Sequence, residues 1–391
     1  MILAHRIQLD PTAEQARYFA RACGTARFVW NWALEEWNRQ YKDGEKPSGL
    51  KLKKKFNTVK YKQFPWLKDI HRDAHARPFE NLQSAFVGFF KKRTAHPRFK
   101  KKGVRDSFYV ANDKLRLQDN RARLPVIGWV RLTEPLRFDG KPMSATVSRI
   151  ADRWFISIQV DVGDYQKTRT DSNTIGIDLG IKSTVTLSTG EIFDSPKALR
   201  SHLKQLRRLS RTHSRKQKGS QNRKKSAARL AKLYWRIKCQ RHDWLHKLTT
   251  RLCCENQAVV VELLAVKNMM ANHKLARAIS DEGWYEFRRQ LVYKSSIYGT
   301  EVIVAPRFFP SSKTCSSCGH VKAKLSLAER TYTCCKCGIE IDRDLNAARN
   351  LCTLGLRGTN ACGHRVRPAR AEAVVVEAGT MPGRIVCSSI K

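Results

Sequence analysis

The side chains able to do chemistry begin with sulfur. Cys315-Ser-Ser-Cys318 is followed, one loop later, by Cys334-Cys-Lys-Cys337, with Gly338 directly after the last of them. Four thiolates at this spacing bind Zn²⁺ tetrahedrally at ~2.3 Å and hold together a loop too small for a core of its own. Cys315, Cys318, Cys334 and Cys337 are the expected ligands. Cys335 falls between them and reads as a bystander, with a ligand set that uses it left open. Four sulfurs leave no free coordination position, so such a zinc is structural.

The sulfur loop runs straight into Asp342-Arg343-Asp344-Leu-Asn-Ala-Ala, although a zinc loop needs no carboxylates. Three acids in the chain sit where ordinary surface acids do not. Asp178 interrupts the apolar Thr-Ile-Gly-Ile-Asp-Leu-Gly, Glu262 ends Val-Val-Val-Glu, and Asp344 stands at the start of a helical segment. A charge at a buried strand end is costly unless it is paired or binds a metal. Alone, Asp344 reads equally as a helix cap. Together the three suit two divalent cations, which at ~3.5–4 Å apart activate water and stabilise the leaving oxygen in phosphodiester hydrolysis. Oxygen ligands point to Mg²⁺ or Mn²⁺. The strand, strand, helix placement is that of an RNase H-like fold.

The chain around these groups is 391 residues long, enough for two to four domains. Its 75 Lys and Arg against 34 acids give a formal charge of +41. A field that positive calls for a polyanion, and nucleic acid is the expected one. The cations are clustered: from Arg200 to Arg241 there are 16 Lys or Arg and no Asp or Glu. The expected contacts are Lys91, Lys92, Arg93, Arg98, Lys100, Lys101 and Lys102 in one run, and Arg207, Arg208, Arg215, Lys216, Arg223, Lys224 and Lys225 in another. Lys313 and Arg343 flank the sulfur loop. Such runs bind phosphate backbones with steep salt dependence. No apolar run reaches the ~18 residues of a membrane span. The first residues lack the apolar core of a secretory signal, so the cysteines read as metal ligands in a reducing, cytoplasmic, nucleoid-associated protein.

Periodicity then supplies the elements. Ile2–Leu9 alternates as a strand, and Thr12-Ala-Glu-Gln15 matches a capping box opening a helix. A further helix is expected over 78–92, with Leu82, Phe86 and Phe89 on one face. From about 105 the period shortens to that of strands, clearest in the run ending Trp154, Ile156, Ile158, Val160. The link 165–173 is polar. Two strand pieces follow, joined at Gly180; the basic block forms a helical hairpin broken at 219–222; and 256–266 and 299–306 are buried-type strands. The last forty residues show no sustained pattern and read as a flexible tail.

Thr174–Ser183, Val259–Met269 and Ser311–Asn350 resemble the three RuvC-type motifs and zinc insert of the TnpB family, RNA-guided nucleases of insertion sequences similar to small type V CRISPR effectors. Weaker likeness lies at 27–36, 97–110 and Arg153 to Val162. The resemblance covers about 1–353 and is strongest from 174 onward. It implies a multidomain α+β chain. Residues 1–10 and 105–165 would be a wedge-like β-barrel, interrupted by a helical recognition lobe at 11–104. Residues 172–311 and 339–353 would form the RNase H-like (RuvC) α/β nuclease domain, with its basic helical hairpin at 198–252. The Cys₄ zinc ribbon at 312–338 would bind target nucleic acid, and 354–391 would be the tail.

The resemblance also assigns roles. Asp178, Glu262 and Asp344, rather than Asp342, would be catalytic and hold Mg²⁺ or Mn²⁺. Guide RNA from the transposon end and target DNA would be the partners, with oligomerisation left open. Cleavage beside a short flanking motif would leave 5′-phosphate and 3′-hydroxyl ends. Leu263 departs from the family, which commonly has aspartate there; as a strand neighbour of Glu262 it should face away from the metals. Arg343 reads either as a phosphate contact or as a surface ion pair. Phe99 reads as a packed ring or a base-stacking one, and His246 as a packing or hydrogen-bonding residue. Cys362 and His364 are a weak second metal pair. Two rivals remain: a transposase joining strands directly, whose carboxylates run Asp, Asp, Glu, and a silent RNA-guided repressor, which should have lost a carboxylate.

Overall fold

The first strand, β1 (Ile2–Asp10), ends where Thr12 begins the long helix α1 (Ala13–Lys42). The Thr12 hydroxyl accepts from the Gln15 backbone N–H, and the Gln15 side chain accepts from that of Thr12. This is the reciprocal cap the sequence calls for. The computed structural model describes residues 1–165, 167, 173–326 and 328–356, with the backbone of 364–365. It comprises one unit over Met1–Gly163 and another from Asp164 onward.

In the first unit α1 serves two cores. Its first half, including Phe19 and Ala22, packs with the sheet; its second half, including Trp30, Leu34 and Trp37, packs with α2 (Gly49–Gln63) and α3 (Arg72–Phe90) through Leu52, Phe56, Phe79, Leu82 and Phe86. The α3 helix starts six residues ahead of the sequence reading, which placed its beginning at Pro78. A proline inside a helix forfeits one backbone bond, but buried Ala74 and His75 on the preceding turn hold the helix on its neighbours. The sheet adds β2 (Ser107–Ala111), β3 (Arg116–Gln118), β4 (Arg121–Leu124), β5 (Gly128–Leu132), β6 (Lys141–Ile150) and β7 (Arg153–Asp161). Its seven strands run β2-β6-β7-β1-β5-β4-β3, and every pairing is antiparallel. The sequence-first strand thus lies between β7 and β5.

The second unit opens with β8 (Thr174–Asp178), β9 (Val185–Leu187) and β10 (Ile192–Phe193). Helices α4 (Ala198–Ser201), α5 (Leu203–Ser214) and α6 (Gln221–Glu255) carry the basic block. Leu206 and Leu209 meet Leu233 and Ile237 inside the hairpin, leaving the cations outside. Next come β11 (Ala258–Val261), α7 (Val266–Met269), α8 (Ala276–Glu282), α9 (Trp284–Tyr298) and β12 (Glu301–Val304). Strand β11 is shorter than the apolar run 256–266 suggests, because the chain leaves the sheet at Glu262. The sulfur loop contributes the small ladder of β13 (Thr331–Thr333) and β14 (Glu340–Asp342), followed by α10 (Arg343–Leu356) and β15 (His364–Arg365). The sheet order is β10-β9-β8-β11-β12-β15, with β8, β11 and β12 parallel and the rest antiparallel.

Alternation along the strands assigns the two faces of this sheet. Ile175, Ile177, Val259, Val261, Val302 and Val304 pack with α6 and α9. Ala258, Val260, Ile303 and Ala305 pack with Leu351 and Leu354 of α10. Gly176 shares the second face, and a Cβ there would lie 2.0 Å from the Ala348 carbonyl oxygen. Only glycine lets α10 approach β8 this closely.

The region read as a tail has structure at its start: α10 runs to Leu356, and His364–Arg365 pairs with Val304 and Ile303. Most of the 165–173 link, the rest of the tail, Cys362 and the His364 side chain lie outside the described residues.

Candidate active site

Asp178 is the last residue of β8 and has the strand parity of Gly176, which places it on the face covered by α10. Ile177 pairs with Val261, so Glu262 follows one step beyond the neighbouring strand end. Asp344 lies in the first turn of α10. The three acids therefore meet at the carboxyl ends of two parallel strands, where open α/β sheets form their crevices.

Their electrostatics agree with that placement. Asp178 is only 9% exposed. Burial, then the charges of Glu262 and Asp344, push its carboxyl well above the usual range, while Arg343 pulls it back. Burial also raises Glu262, against a lowering hydrogen bond from the Ser311 hydroxyl. A crowd of partly desolvated carboxylates suits hard cations with oxygen ligands. Among the described residues, the cysteines are the only group of three or more such side chains with all ligand atoms within 4.8 Å of one another.

The two neighbouring aspartates have different work. Asp342 Oδ1 accepts from the backbone N–H groups of Asp344 and Leu345, at 2.9 and 3.0 Å. Asp342 is the helix cap, and Asp344 is left for the acidic cluster. Leu263 is 37% exposed and lies past the end of β11, so it borders no strand face at all.

Cys315 and Cys337 sulfurs are 3.6 Å apart, as are those of Cys318 and Cys334. Tetrahedral ligands at ~2.3 Å from zinc require nearly this separation. Gly319 and Gly338 follow the two knuckles with φ of 74° and 73°, and each donates its N–H back to the first cysteine of its pair. Donation from the Cys337 and Lys336 backbones holds the Cys334 thiol down at about 6. Cys318 moves the other way, up to about 12: the His320 backbone lowers it, but burial and the neighbouring thiols outweigh that. Cys335 stays out of the set, with its sulfur 3.2 Å from His320 Nε2.

Side chains that the sequence reading passed over join ribbon to carboxylates. Asn346 Nδ2 donates to the Thr314 carbonyl at 2.7 Å, and its Oδ1 accepts from the Ser316 N–H at 2.9 Å. Asn350 Nδ2 donates to the carbonyls of Ser311 and Thr314, at 2.8 and 2.6 Å. Both asparagines are buried on α10. Their i, i+4 spacing was a usable signal; Ser311 offered none.

Arg343 also contacts the sulfur loop. Its guanidinium donates through Nη1 to the Ser326 and Glu329 carbonyls, and its charge acts on Asp178. It closes the loop in front of α10. Lys313 similarly donates to the Ala323 carbonyl, and Arg223 to those of His213 and Lys216, closing the hairpin turn. Lys100 lies 4.0 Å from the Trp30 ring centre. Lys91, Lys92, Arg93, Arg98, Lys100, Lys101, Lys102, Arg207, Arg208, Arg215, Lys224, Lys225 and Lys313 are exposed, and Lys216 and Arg223 are half-buried. Phe99 is 54% exposed and so is no core residue. His246 Nδ1 meets the Tyr293 hydroxyl at 3.3 Å, and burial lowers its pKa to about 3.

Residues 157–273 match the insertion-sequence OrfB family, described as "Probable transposase", 284–351 match "Cas12f1-like, TNB domain", and 1–46 match "Helix-turn-helix domain". A "Putative RNA-guided DNA endonuclease" of Streptomyces pristinaespiralis is 40% identical over 379 residues, covering 94% of this chain and 92% of that protein. The chain belongs to the TnpB family. A second relative, "Putative RNA-guided DNA endonuclease InsQ" of Escherichia coli K12, is 33% identical over 385 residues, 94% of this chain and 95% of that protein. The fold resembles that in a cryo-EM structure of a Cas12f1–sgRNA–target DNA complex, with a TM-score of 0.57 at 14% identity over 87% of this chain and 83% of that one. In this TnpB-family chain, residues 1–46 fold as β1 and the single helix α1, not as two helices around a turn.

Proposed function

We propose that this chain is an RNA-guided DNA endonuclease of an insertion sequence, in which Asp178, Glu262 and Asp344 hold divalent cations. The observation that carries this reading is the meeting of the three acids at two parallel strand ends and one helix start, with Asp178 raised by burial and then by the other two. Three antiparallel strands followed by two parallel ones support an RNase H-like, RuvC-type domain. The relatives' names and the +41 charge support nucleic acid as the substrate.

Mg²⁺ or Mn²⁺ at these carboxylates would supply an activated water and stabilise the departing oxygen. The chain's own part is to hold the acids in a partly desolvated crevice, with the positive end of α10 beside Asp344. Burial opposes ionisation of Asp178 and Glu262, an opposition that bound cations would offset. Cys315, Cys318, Cys334 and Cys337 would hold a structural Zn²⁺, fixing the ribbon against α10. The exposed cations of 91–102 and 207–225 would grip guide and target backbones, and Phe99 would stack on a base. In this reading 1–10 and 105–165 act as the wedge and 11–104 as the recognition lobe. Among the described residues, no helix is long and apolar enough to cross a membrane.

The test is purification with co-bound RNA, sequencing of that RNA, and incubation of matching DNA with Mg²⁺. Cleavage should depend on both the match and the metal, and Asp178→Ala should end it while RNA stays bound. A discrete bound RNA without cutting by the unaltered chain would favour a silent repressor instead.

A further inference from the structure

Glu262 has a second neighbourhood. It forms part of the wall of a cavity of about 360 Å³, a size usual for small-ligand sites. The floor is apolar, from Val261, Leu179 and Phe287; Tyr285 stands at the rim, 65% exposed. Lys267, Arg288 and Arg307 also line it. Among the described residues, none of these three cations pairs with an acid, and the recorded contact of Arg307 is with the Phe308 ring. Helix α9 begins at this wall with Trp284 and Tyr285, and no side chain caps it. Three unmatched cations and an uncapped helix start favour an anion. An apolar floor with an exposed ring favours something larger than a bare phosphate.

We propose that this cavity is a nucleotide subsite: it takes one deoxynucleotide of the strand being cut, phosphate against Lys267, Arg288 and Arg307, base against Tyr285. The proposal rests on the endonuclease reading for its role and deepens it, because the subsite would set one nucleotide of the strand beside Glu262. A metal ion is the poorer occupant, since the cavity wall holds three positive side chains against the one carboxylate.

The experiment uses the full chain and a single-stranded oligodeoxynucleotide carrying one 4-thiothymidine, irradiated and mapped by peptide mass spectrometry. We expect a cross-link on the peptide containing Tyr285, competed by millimolar thymidine monophosphate but at least tenfold less well by inorganic phosphate. Arg288→Gln with Arg307→Gln should lower that cross-link at least fivefold, while overall oligonucleotide binding, supplied by the remaining basic surface, changes less than twofold. Arg288→Lys with Arg307→Lys should restore it. Thermal melting of each variant separates lost binding from lost folding, and Lys267→Gln, at an exposed position, provides a second reading. No cross-link near Tyr285, an unchanged yield in the Gln variants, or equal competition by phosphate would each overturn the subsite. Cleavage of matched DNA is measured separately, so its failure would count against the endonuclease reading without touching the cross-link result.

Discussion

The Ser311 hydroxyl donates to Glu262, and the Ser311 carbonyl accepts from Asn350 at 2.8 Å. One residue thus touches a proposed metal ligand with its side chain and the proposed catalytic helix with its backbone. The hydroxyl favours the ionised form of Glu262 against the burial that opposes it. Ser311→Ala should raise the Glu262 pKa further, so cleavage at neutral pH should fall about three- to tenfold, the scale of one hydrogen bond of ~1 kcal/mol. The loss should shrink as pH rises, and Ser311→Thr should recover most activity. A pH–rate profile under single-turnover conditions checks this; a loss independent of pH would rule the mechanism out.

Asn346 and Asn350 fasten the sulfur loop to α10, and both are buried. Replacing either by alanine strands buried backbone groups, at about 1–3 kcal/mol each. Melting temperature should drop while zinc content stays at one per chain. Zinc loss in step with stability would show that the asparagines support the sulfur site rather than its docking.

Asp342 and Asp344 make opposite predictions. Asp342→Asn keeps a capping side chain and should leave stability nearly unchanged, whereas Asp342→Ala should cost about 0.5–2 kcal/mol. Asp344→Asn should abolish metal-dependent cleavage with little change in stability. Denaturant unfolding beside a cleavage assay distinguishes the pair, and an active Asp344→Asn protein would end its assignment.

Removal of zinc should release the ribbon and, through Thr314 and Ser316, loosen the start of α10. Chelation or Cys334→Ser should therefore reduce cleavage strongly even though the carboxylates remain. Cys335→Ser should keep the full zinc content, because that sulfur faces His320 rather than the ligand set. Metal analysis by mass spectrometry decides.

Lys294 is buried between α6 and α9, donating to the His246 carbonyl and the Thr249 and Thr250 hydroxyls at 2.7 Å each. Burial still holds its pKa down at about 7. Between about pH 7 and the ordinary lysine range the folded chain binds fewer protons here than the unfolded one, so this group makes stability rise with pH. Lys294→Met should flatten that rise. The comparison belongs between pH 7 and 8.5, since Cys253, raised by burial to about 12, opposes the trend once unfolded thiols ionise near ~8.5. Equal slopes for both proteins would show that Lys294 does not titrate as described.

Local chemistry made a good part of this protein legible in its sequence. The capping box at Thr12, the alternation in β7, the apolar seam of the basic hairpin and the paired cysteines each depend on residues close in the chain, and each is where its spacing placed it. The acids Asp178 and Glu262 were visible because they interrupt apolar strands. What the sequence could not settle depended on distant partners. The engagement of Arg343 with the Ser326 and Glu329 carbonyls and the bridge from Ser311 to Asn350 depend on where α10 lands against the sulfur loop and the sheet. That landing is set by Gly176, where the absence of a side chain lets helix and strand approach, and no local pattern in the chain encodes what will lie against it. Residue types and spacing determined which groups were candidates; the close packing of α10 on the sheet decided which of them lie side by side.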